Sequence, residues 1–103
     1  MAVTVREISG AELDELIASG RVLVDFYSKT CGPCKMLSFV LKDIAKGVDD
    51  IEIVTLDYDV NKDMVEKYSV AGYPTMIYFN NSQEVERMKG LQQKPTILRM
   101  ISA

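Results

Sequence analysis

The chain has 103 residues, 48% of them hydrophobic and 26% charged, with a formal net charge of −3 and a sequence pI of 4.9. That length supports one hydrophobic core, so residues 1–103 are read as a single domain, and an acidic chain without a basic stripe excludes a nucleic-acid partner. The longest apolar runs, such as Val22-Leu23-Val24, are too short to span a membrane, and the N-terminus has no basic region leading into an apolar stretch, so the cytoplasm is the expected location.

Val3 to Ile8 alternates loosely and reads as a short edge strand. Ser9-Gly10-Ala11-Glu12 has capping-box spacing, Leu13, Leu16 and Ile17 then share one helical face, and Gly20 is the stop. Arg21 to Tyr27 is a near-continuous apolar run, the signature of a strand buried on both faces. Pro33 to Lys46 reads as a helix, with Leu37, Val40, Leu41 and Ile44 at helical spacing and Gly47 as its end. Ile51 to Asp57 is a second buried strand, and Asn61 caps a short helix carrying Met64, Val65 and Tyr68. Thr75 to Phe79 is a third strand, Asn80-Asn81-Ser82 is turn chemistry, and Glu84 to Lys89 returns as a hairpin partner until Gly90. Lys94 to Ile101 closes the chain as a helix. The order β-α-β-α-β-α-β-β-α implies an α/β fold: a central mixed sheet, parallel strands followed by an antiparallel hairpin, with helices on both faces.

The two cysteines of the chain, Cys31 and Cys34, enclose Gly32 and Pro33 between a strand and a helix. As a structural staple this pair is weak: closing a four-residue loop gives about 2 kcal/mol, against about 5 for a loop of a hundred residues. As two packed free thiols it is odd, because Gly32 and Pro33 set backbone geometry rather than fill a core. As half a zinc site it lacks partners, since the chain has no histidine and no second cysteine pair, and a zinc-bridged dimer would need a second copy. Redox chemistry is the favoured reading. Cys31 falls at the start of the helix, where unpaired N–H groups and the helix dipole favour thiolate. Pro33 suits the first turn, and Cys34, three residues on, is within reach of Cys31 but deeper.

Asp25 lies inside the apolar run Arg21 to Tyr27. A carboxylate buried there is costly when charged, so its pKa is expected to rise, and it can exchange a proton with a nearby thiol. Tyr73-Pro74-Thr75 precedes an apolar strand, and the local sequence does not select between a cis and a trans proline.

Val24-Asp25-Phe26, Cys31-Gly32-Pro33-Cys34-Lys35-Met36, Val70-Ala71-Gly72-Tyr73-Pro74-Thr75 and Gly90 stand in the order and spacing of the thioredoxin family, which the chain resembles over about residues 3–101. The resemblance implies the thioredoxin fold and a protein-disulfide reductase needing no cofactor or metal beyond a redox-active Cys31–Cys34 disulfide. It casts Cys31 as nucleophile, Cys34 as resolving thiol, Asp25 as buried acid/base and Pro74 as a cis-proline. Thr30, Gly72, Tyr73, Gly90 and Leu91 would line the substrate groove. A thioredoxin reductase would supply electrons, disulfide-containing proteins would be the substrates, and the chain would be a monomer. Two alternatives stay open: a partner dedicated to one reductase or substrate, and a binding subunit that does not use its thiols.

The chain also departs from the family pattern. Thr30 and Tyr27 replace tryptophans, Thr55 replaces a lysine near the buried acid, and Phe39 replaces a helix-kinking proline. The loss of the first tryptophan is expected to weaken or redirect partner recognition and to put a hydroxyl within reach of Cys31. Without the lysine, Asp25 should be harder to ionise. Phe39 should be partly exposed, and Gln93 should cap the last helix poorly.

Overall fold

The computed structural model describes residues 3–103; Met1 and Ala2, which open the segment read as lacking an export signal, lie outside them. The elements in chain order are β1 (Val5–Glu7), α1 (Gly10–Leu16), β2 (Arg21–Tyr27), α2 (Gly32–Ala45), β3 (Glu52–Asp57), α3 (Lys62–Lys67), β4 (Thr75–Asn80), β5 (Gln83–Lys89) and α4 (Lys94–Met100). The strands form one sheet in the order β1-β3-β2-β4-β5. β1, β3 and β2 run parallel, and β4 and β5 run antiparallel to their neighbours.

The apolar run of β2 explains its central place. Val22 through Phe26 are all buried, because both faces of the sheet are covered. Successive side chains of a strand point to opposite faces. Val22, Val24 and Phe26 accordingly join Leu13, Ile17 and Met64 in the core under α1 and α3. Leu23 joins Leu37, Leu41, Ile44 and Ile97 in the core under α2 and α4. Asp25, two residues after Leu23, therefore faces α2. Each fully buried leucine of these layers contributes about 1.5–3 kcal/mol by leaving water.

Local chemistry sets the joints. Ser9 Oγ accepts the Glu12 N–H at 3.2 Å, but the Glu12 carboxylate goes to Arg6 at 2.6 Å, so half of the expected capping box is built. Helix α1 already ends at its cap, Ile17; Gly20, at φ +81°, serves the turn into β2 instead. Asn61 holds the cap position of α3, with its side-chain amide donated to the Asp57 carbonyl at 2.9 Å rather than used on the helix. The hairpin turn places Asn81 and Ser82 at φ 49° and 68°, the left-handed pair that matches strand twist. Helix α4 begins at Gln93 without a side-chain cap, as expected. Its far end is tied to the sheet: Arg21 Nε donates to Tyr78 Oη at 2.9 Å, the Arg21 guanidinium also reaches the Ile101 carbonyl, and Tyr78 Oη donates to the Ala103 carbonyl at 3.0 Å.

Both edges of the sheet are blunt. β1 is three residues long, half of the expected Val3 to Ile8, and β5 exposes Glu84, Glu86 and Arg87 along its length.

Candidate active site

Strand register gathers the sequence-selected residues at one end of the sheet. Phe26 pairs with Leu56 on β3 and with Thr75 on β4, so the residues following β2, those following β3 and those preceding β4 share that end. Gly90 joins them, its N–H donated to the Pro74 carbonyl at 2.7 Å.

Cys31 is the N-cap of α2, in extended conformation, and its Sγ accepts the Cys34 N–H at 3.1 Å. Pro33 sits in the first turn, where a missing N–H costs nothing. The two cysteines form a disulfide with a Cα–Cα distance of 5.2 Å. They are unequal: Cys31 is partly exposed, whereas Cys34 is 3% exposed. A thiolate on Cys31 after reduction would sit on the exposed N–H groups of a fourteen-residue helix.

Asp25 is 1% exposed, and its Oδ1 has no hydrogen-bond partner. Burial pushes its pKa up to about 7. The residue directly across from it on β3 is Thr55, which offers no positive charge. Asp25, Thr55, Cys31 and Cys34 together line a cavity of about 360 Å³ on the β1–β3 side of the central strand. Beside it, burial and a 2.7 Å hydrogen bond to Glu7 keep the Tyr27 phenol protonated to higher pH than usual.

On the other side of β2, the Tyr73–Pro74 peptide bond is cis, and Pro74 is buried. Thr75 Oγ1 donates to the Gly72 carbonyl at 2.8 Å, and Gly72 has φ +107°, which requires glycine. Tyr73 is 44% exposed and meets the Tyr58 ring edge-on at 5.1 Å. Leu91 is 41% exposed, next to Gly90. Gly32 and Pro33 are also exposed.

Thr30 is exposed, but its hydroxyl turns toward Ser28 Oγ at 3.5 Å and makes no hydrogen bond to Cys31. Ser28 in turn donates to Asp59 Oδ2 at 2.8 Å. No spacing rule links Ser28, after β2, to Asp59, after β3, so sequence reasoning misses this hydroxyl–carboxylate chain. Its only signal was the cluster of polar residues following each strand. Among the described residues, no three histidine, cysteine or acidic side chains converge as a metal site.

The family model for thioredoxin matches residues 4–103. The chain belongs to the thioredoxin family. It is 41% identical over 98 residues to a thioredoxin of Chlamydia trachomatis, covering 95% of this chain and 96% of that one. A thioredoxin of Staphylococcus aureus is 35% identical over 96 residues, with 92% of each chain covered. Among solved structures, a mutant thioredoxin from Halobacterium salinarum superposes with a TM-score of 0.90 at 32% identity, covering 99% of this chain and 93% of that one. Membership of the thioredoxin family and the closed cysteine pair make this chain a disulfide oxidoreductase. No helix among the described residues is long and apolar enough to cross a membrane.

Proposed function

We propose that the chain reduces protein disulfides by dithiol–disulfide exchange. Cys31 thiolate attacks one sulfur of a substrate disulfide, the other leaves as a thiolate, and a mixed disulfide forms. Cys34 then attacks Cys31, its proton passing to Asp25, and the reduced substrate departs while the Cys31–Cys34 disulfide closes. The observation that carries this reading is the asymmetry of the pair: a partly exposed Cys31 at a helix start, a buried Cys34, and an unpartnered buried carboxyl on the same cavity.

The loop before β4 supports the docking of an extended segment. Among the described residues, Tyr73 makes no backbone–backbone hydrogen bond, so its peptide groups are available to a substrate strand. In this reading Thr30, Gly72, Gly90 and Leu91 complete the substrate groove. A thioredoxin reductase returns the pair to the dithiol, and the cytoplasm is the compartment that keeps it so. The exposed Thr30 favours a narrower set of partners than a large flat side chain beside Cys31 would admit.

The test is insulin reduction with dithiothreitol, followed as turbidity. The Cys31→Ser variant should fall to the dithiothreitol background, and the Cys34→Ser variant should accumulate a mixed disulfide. Activity of Cys31→Ser equal to wild type would overturn the reading. Turnover with an NADPH-dependent or a ferredoxin-dependent thioredoxin reductase then identifies the donor.

A further inference from the structure

We propose that Lys89 makes the client groove select disulfides whose neighbouring residues are acidic. The proposal rests on the redox reading above and names the class of protein segment that the groove accepts.

Strand register brings Lys89 to the docking loop. It pairs with Thr75 across the β4–β5 ladder, and the side chains of a cross-strand pair stand on one face of the sheet. Thr75 turns its hydroxyl to the Gly72 carbonyl, and Lys89 lies against the same residue. A β-carbon on Gly72 would come within 3.4 Å of Lys89 Cε and 3.8 Å of its Nζ. The next residue, Gly90, donates its N–H to the Pro74 carbonyl at 2.7 Å, which ties this end of β5 to the loop. The lysine stem thus rests on Gly72, and the ammonium ends beside the residue that precedes Tyr73. A client strand that takes up the peptide groups of Tyr73 passes that ammonium.

The ammonium is unpaired. Lys89 has no carboxylate partner among the described residues. Arg87, two residues earlier on the same face of β5, is held by Glu84 and by the Ser69 carbonyl. Lys29, Lys35 and Lys42 line the cavity on the β1–β3 side of β2, and Lys89 stands apart from them on the cis-proline side. A glutamate or aspartate on the client completes the ion pair that this chain leaves open, and a lysine there meets like charge. The net charge of −3 works the other way on an approaching acidic segment, so a preference for acid reports the local cation.

The probes are three short peptides of otherwise equal sequence, each joined to a copy of itself through one cysteine. Glutamate, glutamine or lysine flanks that cysteine on both sides. Reduced protein is mixed with each disulfide, the freed peptide thiol is measured after acid quenching, and each rate is divided by that of dithiothreitol with the same peptide. Wild type should prefer glutamate to glutamine, and glutamine to lysine, by about twofold to fivefold per step at low salt. The spread should shrink in about 0.5 M salt. Lys89→Gln should flatten the order, and Lys89→Glu should invert it. Lys46→Glu, which changes the net charge equally at the far end of α2, should keep the wild-type order. Equal corrected rates with the three peptides in wild type, or the same loss of order in Lys46→Glu, would overturn the proposal. The two readings fail differently: reduction of all three peptides without an order removes charge selection alone, whereas reduction by Cys31→Ser as fast as by wild type removes the mechanism beneath it.

Discussion

Replacing Asp25 with asparagine keeps the outline of the side chain and removes its ionisation. In the folded chain the carboxyl holds its proton up to about pH 7, whereas in the unfolded chain it loses it near the ordinary value of 3.8. Between those values the native state binds more protons than the unfolded one, so stability falls as pH rises. The destabilisation is absent below about pH 4 and complete above about pH 7, where it reaches up to about 4 kcal/mol. Asparagine carries no such penalty. Its unpartnered amide adds a cost of about 1–3 kcal/mol that does not depend on pH. The variant should therefore gain on wild type by up to about 4 kcal/mol between about pH 4 and pH 9. Urea unfolding of the oxidised proteins across that range measures the gain, with the cysteines locked in their disulfide and unable to titrate. A difference between the two proteins that stays constant within about 0.5 kcal/mol, at unchanged m-value, would refute the buried ionisation.

Thr55→Lys places an ammonium across the strand pair from Asp25 and should lower the carboxyl's pKa, raising stability at about pH 9 by about 1–2 kcal/mol; the same urea titrations check it. Tyr78→Phe removes the hydroxyl that joins Arg21 to the Ala103 carbonyl and should cost about 1–2 kcal/mol, read as a drop of several degrees in Tm. Phe39→Gln, at a position 56% exposed, should change stability by less than about 0.5 kcal/mol in thermal unfolding.

Why some of this molecule was readable in its sequence and some was not follows from the range of the forces involved. Arg21–Tyr27 was legible to the residue because burial on both faces demands an unbroken apolar run. Helix α2 was placed within one residue at each end, its stripe of Leu37, Leu41 and Ile44 fixed by the core it covers. The burial of Asp25 and the exposure of Phe39 followed from the same patterns. The strand order β1-β3-β2-β4-β5 did not, because several orders satisfy the same alternation of strands and helices. The Ser28–Asp59 contact and the lysine-lined cavity depend on side chains brought together by the fold from separate strands, helices and the loops that follow the strands. Local propensity says nothing of such meetings. Thr30 shows the limit well: its place beside Cys31 was plain, but the turn of its hydroxyl toward Ser28 is a product of tertiary structure.

The blunt edges of the sheet have a consequence for traffic at the molecule's surface. An extended chain seeking to lengthen the sheet finds three residues on one side and, on the other, a row carrying Glu84, Glu86 and Arg87. Crowding against other copies thus gives no continuous ladder, and unfolded clients have no rail to settle on. In the mechanism proposed here, the peptide of Tyr73 is then the berth left for a client strand. An extended client that pairs its backbone there is carried to the end of the sheet where its sulfur meets Cys31.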